Sequence, residues 1–147
     1  MATSDDCIFC RIVEGRAEAS YVYRDDLVTA FLDLHPVVEG HTLVVPNFHT
    51  ATADGIDEGT AGRMFAVGAR IATTMGRAGI RNDGYNLFLA NGAAAGQTVF
   101  HAHLHVIPRR AGDGFSVRRA VFGRGKADRE QLDALAERLR QALEQAT

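Results

Sequence analysis

The sequence predicts an α+β fold, built on a mainly antiparallel five-stranded sheet with two main helices. Short segments with alternating apolar residues indicate the strands, and two long segments with apolar residues at helical spacing indicate the helices. Their order is strands, helix, strands, helix, which favours an antiparallel sheet over the regular alternation of parallel α/β proteins. The chain has 147 residues, and we expect residues 1–147 to form a single domain.

The first half of the chain contains three predicted strands. The stretch SYVYRDDLVTAFLD, residues 20–33, indicates two short strands around a turn at Asp25 and Asp26. The stretch GHTLVVPN, residues 40–47, indicates a buried strand that Pro46 closes. These strands would form one side of the sheet.

Two helices are predicted, with a strand at residues 85–91 after the first. Residues 58–78 form the first helix, which Gly79 ends. Residues 128–146 form the C-terminal helix, with Asp128 as its N-cap. The apolar stripes of the two helices are Met64, Val67, Ile71 and Met75, and Leu132, Leu135, Leu139 and Leu143.

Composition and charge exclude several classes of function. Hydrophobic residues make up 46% and charged residues 23%, which is typical of a globular protein. The formal net charge of -2 gives no overall attraction to nucleic acid or to a membrane, and no apolar run is long enough to span a bilayer. The first residues lack the features of a signal peptide, so we expect a cytoplasmic protein in which Cys7 and Cys10 stay reduced.

Three of the six histidines alternate in the stretch FHAHLHVIPRR, residues 100–110. A strand that stops at Pro108 would place the imidazoles on one face and the intervening apolar residues on the core face. Three interpretations are open: a solvated polar face, a metal site, or a nucleophilic imidazole with supporting imidazoles. The imidazoles belong to His101, His103 and His105, and the apolar residues of the predicted core face are Phe100, Ala102, Leu104 and Val106.

A loop rich in glycine and alanine precedes the histidines. The stretch NGAAAGQT, residues 91–98, leaves backbone N–H groups uncovered and lets an anion approach closely. Gln97 and Thr98 add an amide and a hydroxyl. Alone, such a loop can be a tight turn, but beside the histidines it indicates a phosphate site.

Three motifs together resemble the histidine triad (HIT) superfamily. AGQTVFHAHLHVIPR, residues 95–109, is similar to its triad signature. LDLHPVVEGHTLVVPNFH, residues 32–49, resembles its upstream strand pair, and CIFCRIVEG, residues 7–15, resembles the N-terminus of its bacterial members. The N-terminal motif favours the general bacterial (Hint-like) branch, and the other two are also similar to the fragile-histidine-triad branch; we favour the general branch.

The resemblance implies a HIT-like fold with a core at about residues 5–110, a loop at 111–127 and the C-terminal helix at 128–146. The segment 109–129 is rich in arginine. We interpret it as a solvated loop rather than as a flap that contacts a polyphosphate.

The resemblance also implies a catalytic mechanism. The middle histidine of the triad, here His103, attacks the α-phosphorus of a nucleotide and forms a covalent nucleotidyl-imidazole, from which water releases the nucleoside monophosphate. His105 would contact the phosphate and help to move protons, and His41 would support this network. Attack, charge stabilisation and protonation of the leaving group are tasks that neighbouring imidazoles can share.

The same resemblance suggests where a purine nucleotide binds. A carboxylate can accept from both hydroxyls of a ribose, which suits Asp33. Ile12 and Leu32 are equally good candidates for the core and for the base pocket. The nucleotide-binding candidates are Asp33 for the ribose, Gly96, Gln97, Thr98 and Asn91 for the phosphate and leaving group, and Phe9 and Leu34 for the base.

The pair of cysteines has the spacing of metal ligands. A tetrahedral site needs two further ligands. The family resemblance supplies them, since related proteins bind a structural metal through two cysteines and two histidines. We expect a structural zinc ion bound by Cys7, Cys10, His49 and His101, with no metal at the phosphorus.

These implications define the expected function: a homodimeric hydrolase or nucleotidyl transferase that acts on adenosine 5'-phosphoramidates or dinucleoside polyphosphates. Two alternatives stay open. One is a zinc-dependent hydrolase in which the three strand histidines bind a catalytic metal. The other is a regulatory nucleotide-binding protein with little turnover.

Overall fold

The computed structural model describes residues 6–116 and 125–145. Its centre is a five-stranded sheet in the order β1-β2-β3-β5-β4, with every neighbouring pair antiparallel. The predicted α+β class is therefore confirmed. The strands are β1 (Tyr21–Arg24), β2 (Val28–Leu32), β3 (Thr42–Pro46), β4 (Gly84–Phe88) and β5 (Leu104–Arg109).

Three α-helices are present in the described residues: α1 (Ile8–Val13), α2 (Glu58–Thr74) and α3 (Arg129–Gln145). The side chain of Asp57 caps α2 by accepting from the N–H of Thr60, and a short 3-10 turn extends the helix to Gly79. Gly79 has a φ of 86°, a left-handed conformation that glycine adopts without strain. None of the described helices is long and apolar enough to cross a bilayer.

The alternation of side chains along the strands divides the core between the two faces of the sheet. Ala30, Val44 and Val106 pack with α2 and α3 on one face, where the predicted apolar stripes of both helices are buried. Phe31 and Leu43 lie on the opposite face with α1. The sheet therefore has a face covered by two long helices and a face covered only in part, by α1, which leaves room for a site.

Several details differ from the expectations. The sequence reasoning did not identify α1, and β5 continues through Pro108 instead of stopping there. Because β3 pairs with β5 only as far as Val106, Pro108 lies where one edge of β5 has no neighbouring strand, so its missing N–H is tolerated. Phe100 is 45% exposed rather than packed in the core, because regular strand structure begins only at Leu104.

Some sequence expectations fall on residues outside the described ranges. These are residue 5 of the predicted core, residues 117–124 of the predicted loop and residue 146 of the predicted C-terminal helix. The described parts of that loop, residues 111–116 and 125–127, have no helix or strand.

Candidate active site

The three alternating histidines divide between two neighbouring clusters. His103 and His105 lie side by side, with ring centroids 4.9 Å apart. His101 is fully buried and turns toward Cys7, Cys10 and His49 instead. The predicted common strand face is therefore wrong for His101, because regular strand structure begins only at Leu104. The segment instead supplies one cluster of paired imidazoles and one of sulfur and nitrogen ligands.

The imidazole of His103 is held in one tautomer. Its Nδ1 lies 2.8 Å from the carbonyl oxygen of His101, and a carbonyl oxygen can only accept, so Nδ1–H donates this bond. Nε2 therefore keeps its lone pair. Burial lowers the pKa of His103, against the opposing effects of that hydrogen bond and of the Asp33 charge. The ring is consequently neutral at pH 7, as a nitrogen nucleophile must be.

A second chain of hydrogen bonds fixes the tautomer of His105. The backbone N–H of Val37 donates to Nδ1 of His41 at 3.1 Å, which leaves the proton of His41 on Nε2. That Nε2–H donates to Nδ1 of His105 at 3.0 Å. In its neutral form His105 then carries its own proton on Nε2, where it can donate to a ligand.

The carboxylate of Asp33 lies at the edge of this chain. Its Oδ2 is 3.5 Å from Nε2 of His41, and its Oδ1 accepts from the backbone N–H of His35 at 2.9 Å. Both oxygens are thereby oriented by neighbours on the loop that follows β2. This places a fixed anionic acceptor next to the paired imidazoles.

His103 and His105 open into a cavity of about 620 Å³ on the α1 face of the sheet. This volume is within the range of small-molecule sites. The wall is mostly apolar. The ring of Phe9 packs edge-on against the ring of His103, with the two centroids 5.1 Å apart. Besides the two histidines, the cavity is lined by Ile8, Phe9, Ile12, Glu18, Ala19, Phe31, Leu32, Asp33, Leu34, His35, Leu43, Phe88, Leu89, Ala90, Ala95, Gly96, Thr98, Val99 and Arg129.

Five of the seven predicted nucleotide-binding residues line this cavity: Phe9, Asp33, Leu34, Gly96 and Thr98. Gln97 and Asn91 do not appear among the described lining residues. Gln97 is 4% exposed, and its side-chain amide is used inside the protein, where it accepts from Gly92 N–H and donates to the carbonyls of Ala51 and Val99.

Asn91 also uses its side chain within the protein, because its Oδ1 accepts from the N–H of Ala53. In this structure both amides hold the glycine-rich loop, residues 92–96, in place. Gly92 and Gly96 have φ values of 92° and 97°. That left-handed conformation favours glycine and keeps the loop backbone open beside the histidines.

Sequence reasoning missed Glu18 and Ala19 as lining residues, and its assignment of Arg129 to a solvated loop is wrong, since Arg129 is only 24% exposed and lines the cavity. Arg129 is the first residue of α3, and Glu18 and Ala19 precede β1. No local pattern connects these positions to the histidine run. Only the packing of α3 against the start of β1 places them at the cavity.

The second cluster has the geometry of a tetrahedral metal site. The ligand atoms of Cys7, Cys10, His49 and His101 all lie within 4.8 Å of one another. The measured Sγ to Nδ1 separations are 3.4 Å from Cys7 to His101, 3.4 Å from Cys10 to His101 and 3.3 Å from Cys10 to His49. Tetrahedral zinc with ordinary Zn–S and Zn–N bonds sets sulfur and nitrogen about 3.5 Å apart. The four side chains therefore fit zinc.

The protonation states of this cluster suit a cation as well. Nε2–H of His101 donates to the carbonyl oxygen of Pro46 at 2.9 Å, so the Nδ1 lone pair faces the sulfurs. Burial lowers the pKa of His101 to about 4, which keeps the ring neutral. Burial, followed by the hydrogen bond with Cys7, raises the pKa of Cys10 to about 12. A divalent cation would supply the charge that displaces this proton.

The three alternating histidines do not converge on a single point. Among the described residues, His101 clusters with the cysteines, His105 clusters with Asp33 and His41, and His103 belongs to neither metal-like group. A catalytic metal bound by all three histidines is therefore disfavoured by where their ring nitrogens point.

Comparison with known proteins gives a consistent result. The HIT domain family model matches residues 14–112. A HIT-like protein of Mycobacterium tuberculosis is 42% identical over 139 residues, which span 95% of this chain and 94% of that protein. A protein of Arabidopsis thaliana named adenylylsulfatase HINT3 is 36% identical over 109 residues, which span 74% of this chain and 55% of that protein.

Solved structures agree with the sequence comparison. A zinc-bound histidine triad family protein from Mycobacterium smegmatis aligns with a TM-score of 0.83 at 41% sequence identity. The alignment covers 98% of this chain and 97% of that chain. The similarity therefore extends beyond the matched domain to the N-terminal and C-terminal parts.

Proposed function

The chain belongs to the HIT domain family, and from this starting point we propose that it cleaves nucleotides through a covalent intermediate on His103. The family consists of nucleotide-binding hydrolases and transferases. The proposed substrates are nucleoside 5'-phosphoramidates and dinucleoside polyphosphates. The observation that carries the proposal is the Nδ1 hydrogen bond of His103, which leaves the Nε2 lone pair of a buried, neutral imidazole at the cavity.

In the proposed reaction, Nε2 of His103 attacks the α-phosphorus while the bond from phosphorus to the leaving group breaks. His105 donates a hydrogen bond from Nε2 to the phosphoryl group, since its Nδ1 is engaged by His41. The departing atom takes up one proton from solvent, and the water of the second step returns one proton to solvent. Water then attacks the nucleotidyl-imidazole, and the nucleoside monophosphate leaves with regeneration of neutral His103. The backbone around Gly96 lies beside the same space and suits developing negative charge.

The proposed nucleotide lies across the α1 face of the sheet. Asp33 accepts from the ribose hydroxyls, and Phe9 and Leu34 cover the base. The predominantly apolar wall supports this arrangement, because an aromatic base gains from burial while its phosphate is held at the polar end. A purine fills such a space better than a pyrimidine does. Gln97 and Asn91 are assigned a role in holding the phosphate loop rather than direct contact.

We propose zinc as a structural metal held by Cys7, Cys10, His49 and His101. Four protein ligands complete a tetrahedral shell, so no position is left for a reacting water. The metal would cross-link α1 to the chain that follows β3 and the chain that precedes β5. The buried thiols also fit the proposed cytoplasmic location, where cysteines stay reduced.

We also propose a homodimer formed through the outer edge of β4. This strand ends the sheet, and its outer edge pairs with no other strand in the described part of the chain. Tyr85 on β4 is 39% exposed and Phe65 on α2 is 58% exposed. An exposed sheet edge flanked by aromatic residues is typical of a surface that another chain covers.

The proposal is tested by incubating the zinc-loaded protein with adenosine 5'-phosphoramidate, diadenosine triphosphate and adenylyl sulfate. The last is included because of the adenylylsulfatase relative. We expect release of AMP and, after rapid acid quenching, an adenylyl group on the peptide that contains His103. Binding of AMP without turnover of any of the three substrates would support the regulatory alternative instead.

A further inference from the structure

The cavity extends well beyond the histidines. Three strand spacings separate β5, which carries His105, from β1, which follows Ser20, so the cavity crosses about 14 Å of sheet. Glu18, Ala19 and Arg129 line its wall at the β1 side. A nucleotide with its phosphate at His103 directs its base toward this end.

Arg129 is anchored there, but its hydrogen-bonding capacity is not used up. One terminal nitrogen donates to Oγ of Ser20 at 2.8 Å, and that hydroxyl in turn donates to Asp133 at 2.7 Å. Nε lies 3.2 Å from a carboxylate oxygen of Glu18, yet no hydrogen bond in the described structure satisfies this buried atom. The second terminal nitrogen makes no hydrogen bond to any other described residue.

We propose that Arg129 determines base specificity by donating hydrogen bonds to the outer edge of the nucleobase, and that it selects a purine with an oxygen at position 6. The inference rests on the proposed function for the position of the phosphate. It assigns a direct ligand contact to a side chain that lies far from the triad in sequence and on a different element.

The hydrogen-bond donors of the guanidinium group favour guanine over adenine. Arginine has five N–H donors and no acceptor. Guanine presents two acceptors side by side, O6 and N7, whereas adenine presents N7 next to an amino donor. Arg129 can therefore pair twice with guanine but only once with adenine. The carboxylate of Glu18 partly compensates the charge of Arg129, and the hydrogen bond to Ser20 anchors one terminal nitrogen.

Because Arg129 is anchored before a ligand binds, its preference for guanine over adenine should be large enough to measure. The side chain of Arg129 is 24% exposed and is held by its hydrogen bond to Ser20, so little conformational freedom is lost when a base binds. A bidentate arginine–guanine contact typically discriminates against another base by about tenfold or more. We expect a guanosine preference of that order.

The test compares wild-type protein with Arg129→Ala in two assays, with Arg138→Ala as the matched control. Arg138 lies on the same helix, pairs with Glu39 at the surface and is absent from the cavity wall. The assays are calorimetric titration with GMP and AMP, and kcat/KM for the 5'-phosphoramidates of guanosine and adenosine. The expected result is a guanine preference in both assays that Arg129→Ala abolishes by weakening guanine more than adenine and that Arg138→Ala retains.

The outcomes separate this inference from the proposed function. Equal guanine-to-adenine ratios in wild type and Arg129→Ala overturn the inference, even if both proteins turn over substrate. A guanine preference in binding that depends on Arg129, without turnover, supports the inference and refutes the proposed enzyme activity. Should Arg129→Ala fail to fold, Ser20→Ala removes the anchor and is expected to reduce the same ratio; an unchanged ratio there also overturns the inference.

Discussion

The imidazole of His103 donates to the backbone carbonyl of His101, while the ring of His101 turns back toward two buried cysteines. A single residue thus orients the proposed nucleophile through its main chain and completes the candidate metal site through its side chain. Anything that shifts His101 will also change the direction of the His103 lone pair. The two clusters are therefore mechanically connected.

This connection predicts that loss of the metal site lowers both stability and turnover. His49→Ala should reduce bound zinc, lower Tm by several degrees and decrease kcat, because His101 is no longer fixed from the metal side. Metal content is measured by atomic emission, Tm by circular dichroism and kcat with adenosine 5'-phosphoramidate. His35→Ala is the control for metal content, since His35 is an exposed histidine outside the cluster. Equal zinc in the two variants would refute the site.

His103→Ala should abolish turnover and retain nucleotide binding. Removing a nucleophile that forms a covalent intermediate typically costs about a thousandfold or more in kcat. Binding should persist because the apolar wall and Asp33 are unchanged, and AMP affinity by calorimetry checks this. Addition of free imidazole to His103→Gly should restore part of the activity, since the small molecule can occupy the vacated space. A His103→Ala protein with normal kcat would show that another group attacks the phosphorus.

Asp33→Asn should weaken the binding of ribonucleotides through the ribose. The carboxylate accepts from two hydroxyls, and an amide accepts through only one of its two terminal atoms. We expect KM for adenosine 5'-phosphoramidate to rise about tenfold, a change typical of one lost charged hydrogen bond. The 2'-deoxy and 3'-deoxy substrates provide the control, because each should be less sensitive to the substitution. An equal rise in KM for all of these substrates would instead indicate that Asp33 acts through His41.

Periodicity predicted the sheet and both long helices because alternation and helical spacing depend on local sequence alone. It missed α1, whose six residues are too few to display a helical stripe, and it ended β5 too early at Pro108. The histidines and cysteines could be found from their spacing. The inward orientation of the Gln97 amide and the position of Arg129 at the cavity wall could not be predicted, since both depend on distant partners: the carbonyl of Ala51 for Gln97 and the hydroxyl of Ser20 for Arg129.

Asp25 forms a partly buried ionic contact with Arg63 outside the site and should make stability depend on acid pH. Burial alone would raise its pKa, but hydrogen bonds from the N–H groups of Val28 and Leu27 and from Arg63 outweigh this effect and lower the pKa to about 2. The carboxylate therefore stabilises the fold at neutral pH by about 2 kcal/mol. This contribution is fully present above the unfolded-state pKa near 4. It should be lost as the pH falls from there through about 2.

Asp25→Asn should consequently lower the free energy of unfolding at pH 7, and the difference from wild type should shrink between pH 4 and pH 2. Urea titration at each pH measures the free energy of unfolding of each protein. Taking the difference between the two values cancels any effect of acid on the metal ligands that both proteins share. Asp26→Asn is the matched control, because this neighbouring carboxylate is exposed and has no hydrogen bond to another described residue. A difference that stays constant down to pH 2 would mean that Asp25 acts through shape rather than through charge.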